Sequence, residues 1–197
     1  TKELGLPKEK LSITVFKGIN NIPKDEEAVE IWTEILKKED LDPKERIFYY
    51  SDKSNWWSRS GTPDKMPTGE PGGPSTEIFF EFDVPHDPKF GEKCHPNCDC
   101  GRFMEIGNSV FMQYLKQENG SFATLPQKNI DFGGGLERLL AAAENQNDVF
   151  LTSLFFPIIK AIETLSIKTY VEHPKQMRII TDHFISAVML AADGVKP

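Results

Sequence analysis

A run of three glycines, Gly133 to Gly135, is the feature that most constrains the fold of this chain. It follows a polar stretch ending at Asp131 and precedes an apolar segment with helical spacing at 136–144. Glycines at a strand-to-helix junction let the backbone approach a ligand closely, and the start of the helix presents free N–H groups to an anion. Arg138 adds a planar charged group suited to phosphate, and Asp131 can pair with an ammonium group. The alternative is a glycine-rich turn with a surface arginine. The run is not a P-loop, because no Lys-Ser/Thr pair follows it.

Alternation of side-chain character with a period of two predicts half-buried strands. They are expected at 11–16, 77–84 and 102–114. One face of the last strand carries Met104, Ile106, Asn108, Val110 and Met112. Residues 51–75 are rich in proline, glycine and polar side chains around Asn55-Trp56-Trp57, and we expect a long loop there. Such a loop in a compact domain is often functional.

Apolar residues at three-to-four spacing predict helices at 26–38, 136–144, 148–166 and 176–193. Asp25 is expected to cap the first of them, because its side chain can accept a hydrogen bond from a free N–H of the first turn. The order is strand, helix, long loop, antiparallel-type strands and then helices. This order predicts an α+β fold.

Composition excludes several classes of protein. The 23 Lys and Arg residues against 30 Asp and Glu give a net charge of −7, which argues against an indiscriminate nucleic-acid coat. No apolar run reaches the roughly 18 residues that span a bilayer, and no secretory leader is visible. The three cysteines are expected to be reduced, as in the cytoplasm. Because the chain starts at Thr1 without a methionine, we interpret it as a piece of a longer protein.

The residue order around the glycine run has a parallel in a known family. Residues 131–138, Asp-Phe-Gly-Gly-Gly-Leu-Glu-Arg, resemble the third signature motif of the class II aminoacyl-tRNA synthetases. Residues 104–114 resemble the strand that carries the amino-acid pocket of the alanyl-tRNA synthetase family. Further segments resemble that family in the same order, at 55–57, 71–79, 178–183 and 192–195. The resemblance covers nearly the whole chain.

The resemblance implies a fold and a reaction. It implies the later part of a class II catalytic core at 1–166, with an antiparallel sheet and flanking helices, and the start of a helical tRNA-recognition region at 167–197. The implied reaction is ATP-dependent activation of alanine to alanyl-adenylate and transfer to tRNA(Ala), with Mg²⁺ accompanying the ATP. In the family, the first two motifs and their α-phosphate-clamping arginine precede this segment. We therefore expect this piece alone to be inactive.

The resemblance also implies an alanine pocket. Asp131 would hold the α-ammonium group and Asn108 would bond the polar end of the amino acid. Trp57 and Val110 would wall a methyl-sized pocket, and Gly133 would let the substrate lie against bare backbone. Asn108 and Val110 are two apart on a strand and so share a face. The alternative is a strand polar residue and a core valine.

For ATP, the resemblance implies contacts from Gly135 and Arg138. Two positions depart from the family: Gly107 stands where tryptophan is common, and Gly134 replaces a larger apolar residue. Both departures are expected to loosen local packing without removing a ligand contact. No side-chain nucleophile is expected, because adenylation depends on positioning and charge stabilisation.

A cluster of possible metal ligands lies between the second and third predicted strands. Cys94, Cys98 and Cys100 supply three thiols, and His86 or His95 could complete a tetrahedral zinc site. The alternative is three free thiols in a loop. A catalytic cysteine is disfavoured because no triad-like context accompanies it.

Two further alternatives stay open. Glu77, Glu81 and Asp83 share a strand face, which is expected to be solvated but could meet Mg²⁺-ATP. As a function of a different class, the chain could be a zinc-stapled paralogue that has lost catalysis and acts as a binding or scaffolding module. The expected partners are alanine, ATP and tRNA(Ala), with no membrane, and the open sheet edge could lead to self-association.

Overall fold

The computed structural model describes residues 2–196, which divide into two compact units between Asn147 and Asp148. The first unit contains one six-stranded sheet. Its strands are β1 (Leu11–Phe16), β2 (Ile47–Tyr50), β3 (Trp56–Ser58), β4 (Pro71–Glu81), β5 (Phe103–Lys116) and β6 (Phe122–Gly134). Its helices are α1 (Glu26–Lys38), α2 (Pro43–Arg46), α3 (Asp52–Asn55) and α4 (Leu136–Ala143).

The sheet is mostly antiparallel, with the strand order β2-β1-β4-β5-β6 and β3 paired to β4 beside that path. Only β1 and β2 run parallel among the described pairs. The predicted α+β architecture, an antiparallel sheet with flanking helices, is confirmed. Strand β6 was not predicted, because its polar sequence has no clear alternation. It exists because it pairs along β5, from Phe122 opposite Lys116 to Gly134 opposite Gly107.

Helix α1 covers one face of the sheet. It begins as predicted, since the Asp25 side chain accepts a hydrogen bond from the backbone N–H of Ala28 at 3.1 Å. Its apolar residues pack against the sheet in a cluster that contains Ile13, Val15, Ala28, Leu36 and Ile47. Burying this stripe is the main driving force that holds α1 on the sheet.

Strand β1 is buried on both faces, so the prediction of a half-buried strand is wrong there. The polar residues Ser12 and Thr14 are as inaccessible as the apolar Ile13 and Val15. The reason is tertiary: on the face turned away from α1, Asn55 of α3 bonds to Thr14, and Phe16 packs in a second apolar cluster with Trp56.

The predicted loop at 51–75 is partly wrong. Helix α3 and strand β3 occupy its beginning, and β4 starts at Pro71, which leaves irregular structure only at 59–70. The glycines belong to β4 because the chains approach closely: a Cβ on Gly73 would collide with the carbonyl oxygen of Phe111 on β5. A glycine that suggested a loop is therefore one that this close approach of β4 and β5 requires.

The second unit is helical. It contains α5 (Phe156–Ser166) and α6 (Pro174–Ala192), packed around Ile159, Tyr170 and Met177. Helix α5 starts later than the predicted residue 148, because 149–151 form a separate 3₁₀ turn capped by Asp148. The functional boundary predicted at 166/167 stays a prediction, and α5 belongs to the unit that begins at Asp148. None of the described helices is both long and apolar enough to cross a bilayer.

Replacing Gly73 by alanine should destabilise the protein strongly. The new Cβ would collide with backbone that cannot move without breaking the β4–β5 pairing, so we expect a loss of about 3 kcal/mol or more in the free energy of unfolding, measured in urea. Gly133→Ala is the matched control, since no atom lies within 4 Å of the position that its Cβ would take. Equal stability of the two variants would contradict the β4–β5 register.

Candidate active site on the open face of the sheet

The predicted alanine-pocket residues meet on two neighbouring strands. Asn108 on β5 is paired with Gly133 on β6, and Val110 is paired with Asp131 one rung further along. Directly opposed residues of an antiparallel pair share a face and have Cβ atoms about 4.5–5.5 Å apart. The structure therefore brings these four positions together on one face, with Val110 buried and Asp131 and Gly133 exposed.

Trp57 occupies a different strand. It lies on β3 opposite Gly73, on the far side of β4 from β5, and it is 47% exposed. Its neighbour Trp56 is the buried member of the pair and packs with Phe16 and Tyr114. The strand pairing thus does not place Trp57 directly beside Val110.

The start of α4 provides the group expected to meet phosphate. Gly135 is the N-cap residue and has no side chain to accept from the N–H groups of the first turn. Arg138 lies in that turn, and its Nη1 donates to both the carboxylate Oε2 and the backbone oxygen of Glu105 on β5, each at 3.1 Å. The guanidinium is therefore held at the edge of the sheet, with part of its surface exposed to solvent.

The two positions that depart from the family pattern both lie beside Phe132. Gly107 and Gly134 are paired with each other, and a Cβ on either would lie 3.3–3.4 Å from the Phe132 ring. The aromatic ring therefore lies beside both glycines, although it is itself 63% exposed. The expectation of loosened packing at these positions stays a prediction.

A buried polar network adjoins the pocket positions. Glu77 on β4 is paired with Asn108 on one side and Thr14 on the other. The Thr14 hydroxyl donates to Glu77 Oε2 at 2.8 Å and accepts from Asn55 Nδ2 at 2.8 Å. Asn55 Nδ2 also donates to the Ser75 carbonyl at 3.1 Å. The network thus joins α3, β1 and β4, and Glu77 at its end is the strand neighbour of Asn108.

Two buried amide oxygens of the described residues in this region, one of them in the network, are unpaired. Among the described residues, Asn55 Oδ1 and Asn108 Oδ1 are buried acceptors without a hydrogen-bond partner. An orphaned buried acceptor is costly, so a donor supplied by a ligand or by water would stabilise it. Both atoms belong to residues on or beside the pocket face.

Glu77 is the functional candidate that the sequence placed wrongly. It was expected to be solvated, but it is only 8% exposed. Burial raises the pKa of its carboxyl to about 7, against the opposing hydrogen bond from Thr14 and with a smaller contribution from the charge of Glu105. Its two companions behave differently: Glu81 pairs with Arg102, and Asp83 is exposed and pairs with Lys10. Its pairing with Asn108 is what marks Glu77 as a functional candidate. That pairing depends on the register of β4 against β5, which the sequence alone does not reveal.

The possible metal ligands also come together. The ligand atoms of His86, Cys94, Cys98 and Cys100 all lie within 4.8 Å of one another. His95 is not among them, because its Nδ1 lies 2.8 Å from the Tyr50 hydroxyl. Of the two histidines left open by the sequence, the structure thus groups His86 with the cysteines.

Glu77→Gln should change how stability depends on pH. The unfolded carboxyl has a pKa near 4.5 and the folded one near 7, so the folded state binds the extra proton between these values. The free energy of unfolding should therefore fall by about 3 kcal/mol as the pH rises from 4.5 to 7, and then level off. Urea unfolding at pH 5 and pH 8 should show this fall in the wild type and not in Glu77→Gln. The exposed α1 variant Glu30→Gln should keep the wild-type difference, and an unchanged difference in Glu77→Gln would contradict the assignment.

Known proteins match this chain over nearly its whole length. A family model described as tRNA synthetases class II (A) matches residues 1–197. An alanine–tRNA ligase of Treponema denticola is 40% identical over 195 residues, which are 98% of this chain and 30% of that protein. The alanine–tRNA ligases of Borreliella afzelii and Petrotoga mobilis are 39% and 38% identical over 98% and 100% of this chain, and over 31% and 21% of their own lengths. The chain thus spans less than a third of the curated relatives that it matches.

Proposed function

The chain belongs to the class II tRNA synthetase family, and we propose that it forms the alanine- and ATP-binding part of an alanine–tRNA ligase. The observation that carries this proposal is the grouping of Asn108, Val110, Asp131 and Gly133 on paired strands that lead directly into α4 and Arg138. The names of the relatives support alanine as the amino acid.

In this proposal, the amino-acid end of the site has an acidic side chain and a pocket of small volume. Asp131 binds the α-ammonium group, and its exposure leaves the carboxylate accessible to that group. Asn108 binds the polar end of alanine, and the ligand relieves its unpaired buried acceptor. Val110 limits the space for the side chain, with Trp57 as the further wall that the family resemblance implies.

The phosphate end is basic. Arg138 exchanges its contact with Glu105 for the ATP phosphates, and the free N–H groups at the start of α4 add partial positive charge. Mg²⁺ accompanies the ATP and needs few protein ligands. The family chemistry needs no side-chain nucleophile, because these residues act by positioning alanine and the ATP phosphates.

The proposed reaction has two steps. A carboxylate oxygen of alanine attacks the α-phosphorus, the bond to the bridging oxygen breaks, and pyrophosphate leaves. A terminal ribose hydroxyl of tRNA(Ala) then attacks the carbonyl carbon, and AMP leaves with the electron pair. By the family resemblance, the helices of the second unit contribute to tRNA recognition, and the parent enzyme works in the cytoplasm.

The alternative of a non-catalytic binding module predicts that the site has decayed. The pocket positions instead keep ammonium-, amide- and phosphate-binding groups in one connected arrangement, which favours the enzyme. Self-association stays a prediction: β6 is an edge strand of the described sheet, and Ile130 and Phe132 on it are 72% and 63% exposed.

Arg138→Ala in the full-length enzyme should weaken the use of ATP. Losing a charge-assisted contact of about 1.5–3 kcal/mol should raise the KM for ATP roughly 10- to 100-fold in ATP–pyrophosphate exchange, while the KM for alanine changes little. The exposed variant Arg59→Ala is the control. An unchanged dependence on ATP would contradict the role of Arg138. The same assay on residues 1–197 alone should give no activity.

Gly133→Ala should weaken alanine binding and leave the free energy of unfolding unchanged. Its Cβ would enter open space above β6, where the proposal places the substrate, so the KM for alanine should rise at least 10-fold without loss of stability. Gly134→Ala is the matched control, because its Cβ would meet the Phe132 ring and not the pocket. Equal KM values for alanine in the two variants would place the amino acid elsewhere.

A further inference from the structure

The connection between β4 and β5 has little regular structure to hold it. Apart from a 3₁₀ turn at Pro88–Phe90, the described residues from 82 to 102 form turns and bends. Even so, Cys98 is 7% exposed and Pro96 is fully buried, so this segment has a compact centre. Within this segment, the ligand atoms of His86, Cys94, Cys98 and Cys100 lie close together.

The spacing of these groups fits a tetrahedral ion. With Zn–S bonds of about 2.3 Å, two sulfurs of one tetrahedral site lie about 3.8 Å apart. Cys94 Sγ and Cys100 Sγ are 3.4 Å apart, and Cys98 Sγ is 3.8 Å from His86 Nδ1. All three cysteines are free thiols, so no disulfide competes for them.

The histidine is prepared to act as a ligand through Nδ1. His86 Nε2 lies 2.8 Å from the carbonyl oxygen of Gly91, which can only accept, so Nε2 carries the proton. In the neutral imidazole, Nδ1 is then the acceptor nitrogen, and it faces the sulfur of Cys98. A backbone carbonyl that orients the second ring nitrogen is a usual feature of metal-bound histidines.

We propose that this cluster binds one structural Zn²⁺ through four protein ligands: His86 Nδ1 and the Sγ atoms of Cys94, Cys98 and Cys100. Three thiolates and one imidazole form a donor set that selects zinc, and four protein ligands leave no open position for a substrate. The inference does not depend on the proposed ligase activity, because none of the four residues belongs to the pocket face.

The site joins the ends of two functional strands. Strand β4 carries Glu77 and ends at Glu81, and β5 begins at Phe103 and carries Asn108. A metal that ties the connection together would hold the two strand ends in register. His95 contributes separately, by its contact with the Tyr50 hydroxyl on β2.

Metal analysis of the purified protein tests the proposal. After dialysis, mass spectrometry of the metals should find about one zinc per chain, and the native thiols should be unreactive until a chelator is added. His86→Gln and Cys98→Ser should each lose at least tenfold in zinc affinity, and His95→Gln should keep it. Zinc-free folded protein with three freely titratable thiols would overturn the proposal.

A cobalt experiment tests the site in the wild-type protein and so stays informative if a ligand variant fails to fold. Replacing zinc by Co²⁺ in the wild-type protein should give intense tetrahedral d–d bands and thiolate-to-cobalt charge transfer. His95→Gln should give the same spectrum, whereas weak octahedral bands in the wild type would overturn the four-ligand site. Loss of the spectrum in His95→Gln, with retention in His86→Gln, would overturn the choice of histidine.

Discussion

The pairing of β5 with β4 on one side and β6 on the other is the constraint on which the candidate site depends. It places Asn108 between Glu77 and Gly133, and Val110 beside Asp131. A slip of one residue would turn every one of these side chains to the α1 face. The close contact of Gly73 with Phe111 and the packing of Phe132 over Gly107 and Gly134 are specific to this register.

The site combines opposite charges at its two ends. Acidic and amide groups face the place proposed for an ammonium group, and Arg138 with the start of α4 faces the place proposed for phosphate. Arg138 donates to Glu105, and the buried Asn108 Oδ1 has no partner among the described residues. Both are arrangements that a ligand carrying an ammonium group and phosphates would improve, since it supplies the missing donors and a stronger anion.

The residues proposed to stabilise the β4–β5 connection are different from the residues proposed to bind substrate. The pocket face uses side chains of the paired strands, whereas the His/Cys cluster lies in the irregular segment that joins them. A segment with few apolar residues cannot gain much free energy from burial, so metal ligation is an effective way to order it. The proposed zinc site would give the two strand ends support that does not compete with substrate binding.

Local signals in the sequence were sufficient for several elements. The cap at Asp25, the helix after the glycine run and the alternation along β5 depend on residues close together in the chain, and they predicted α1, α4 and β5. Residue order also indicated the family and the candidate residues from Asn108 to Arg138. Other features depend on residues far apart in the chain: the pairing that creates β6, the burial of β1 on both faces, the buried network of Glu77 with Thr14 and Asn55, and the grouping of His86 with the cysteines. Only the tertiary structure decided these, because burial and strand register are determined by what packs against a segment and not by its own composition.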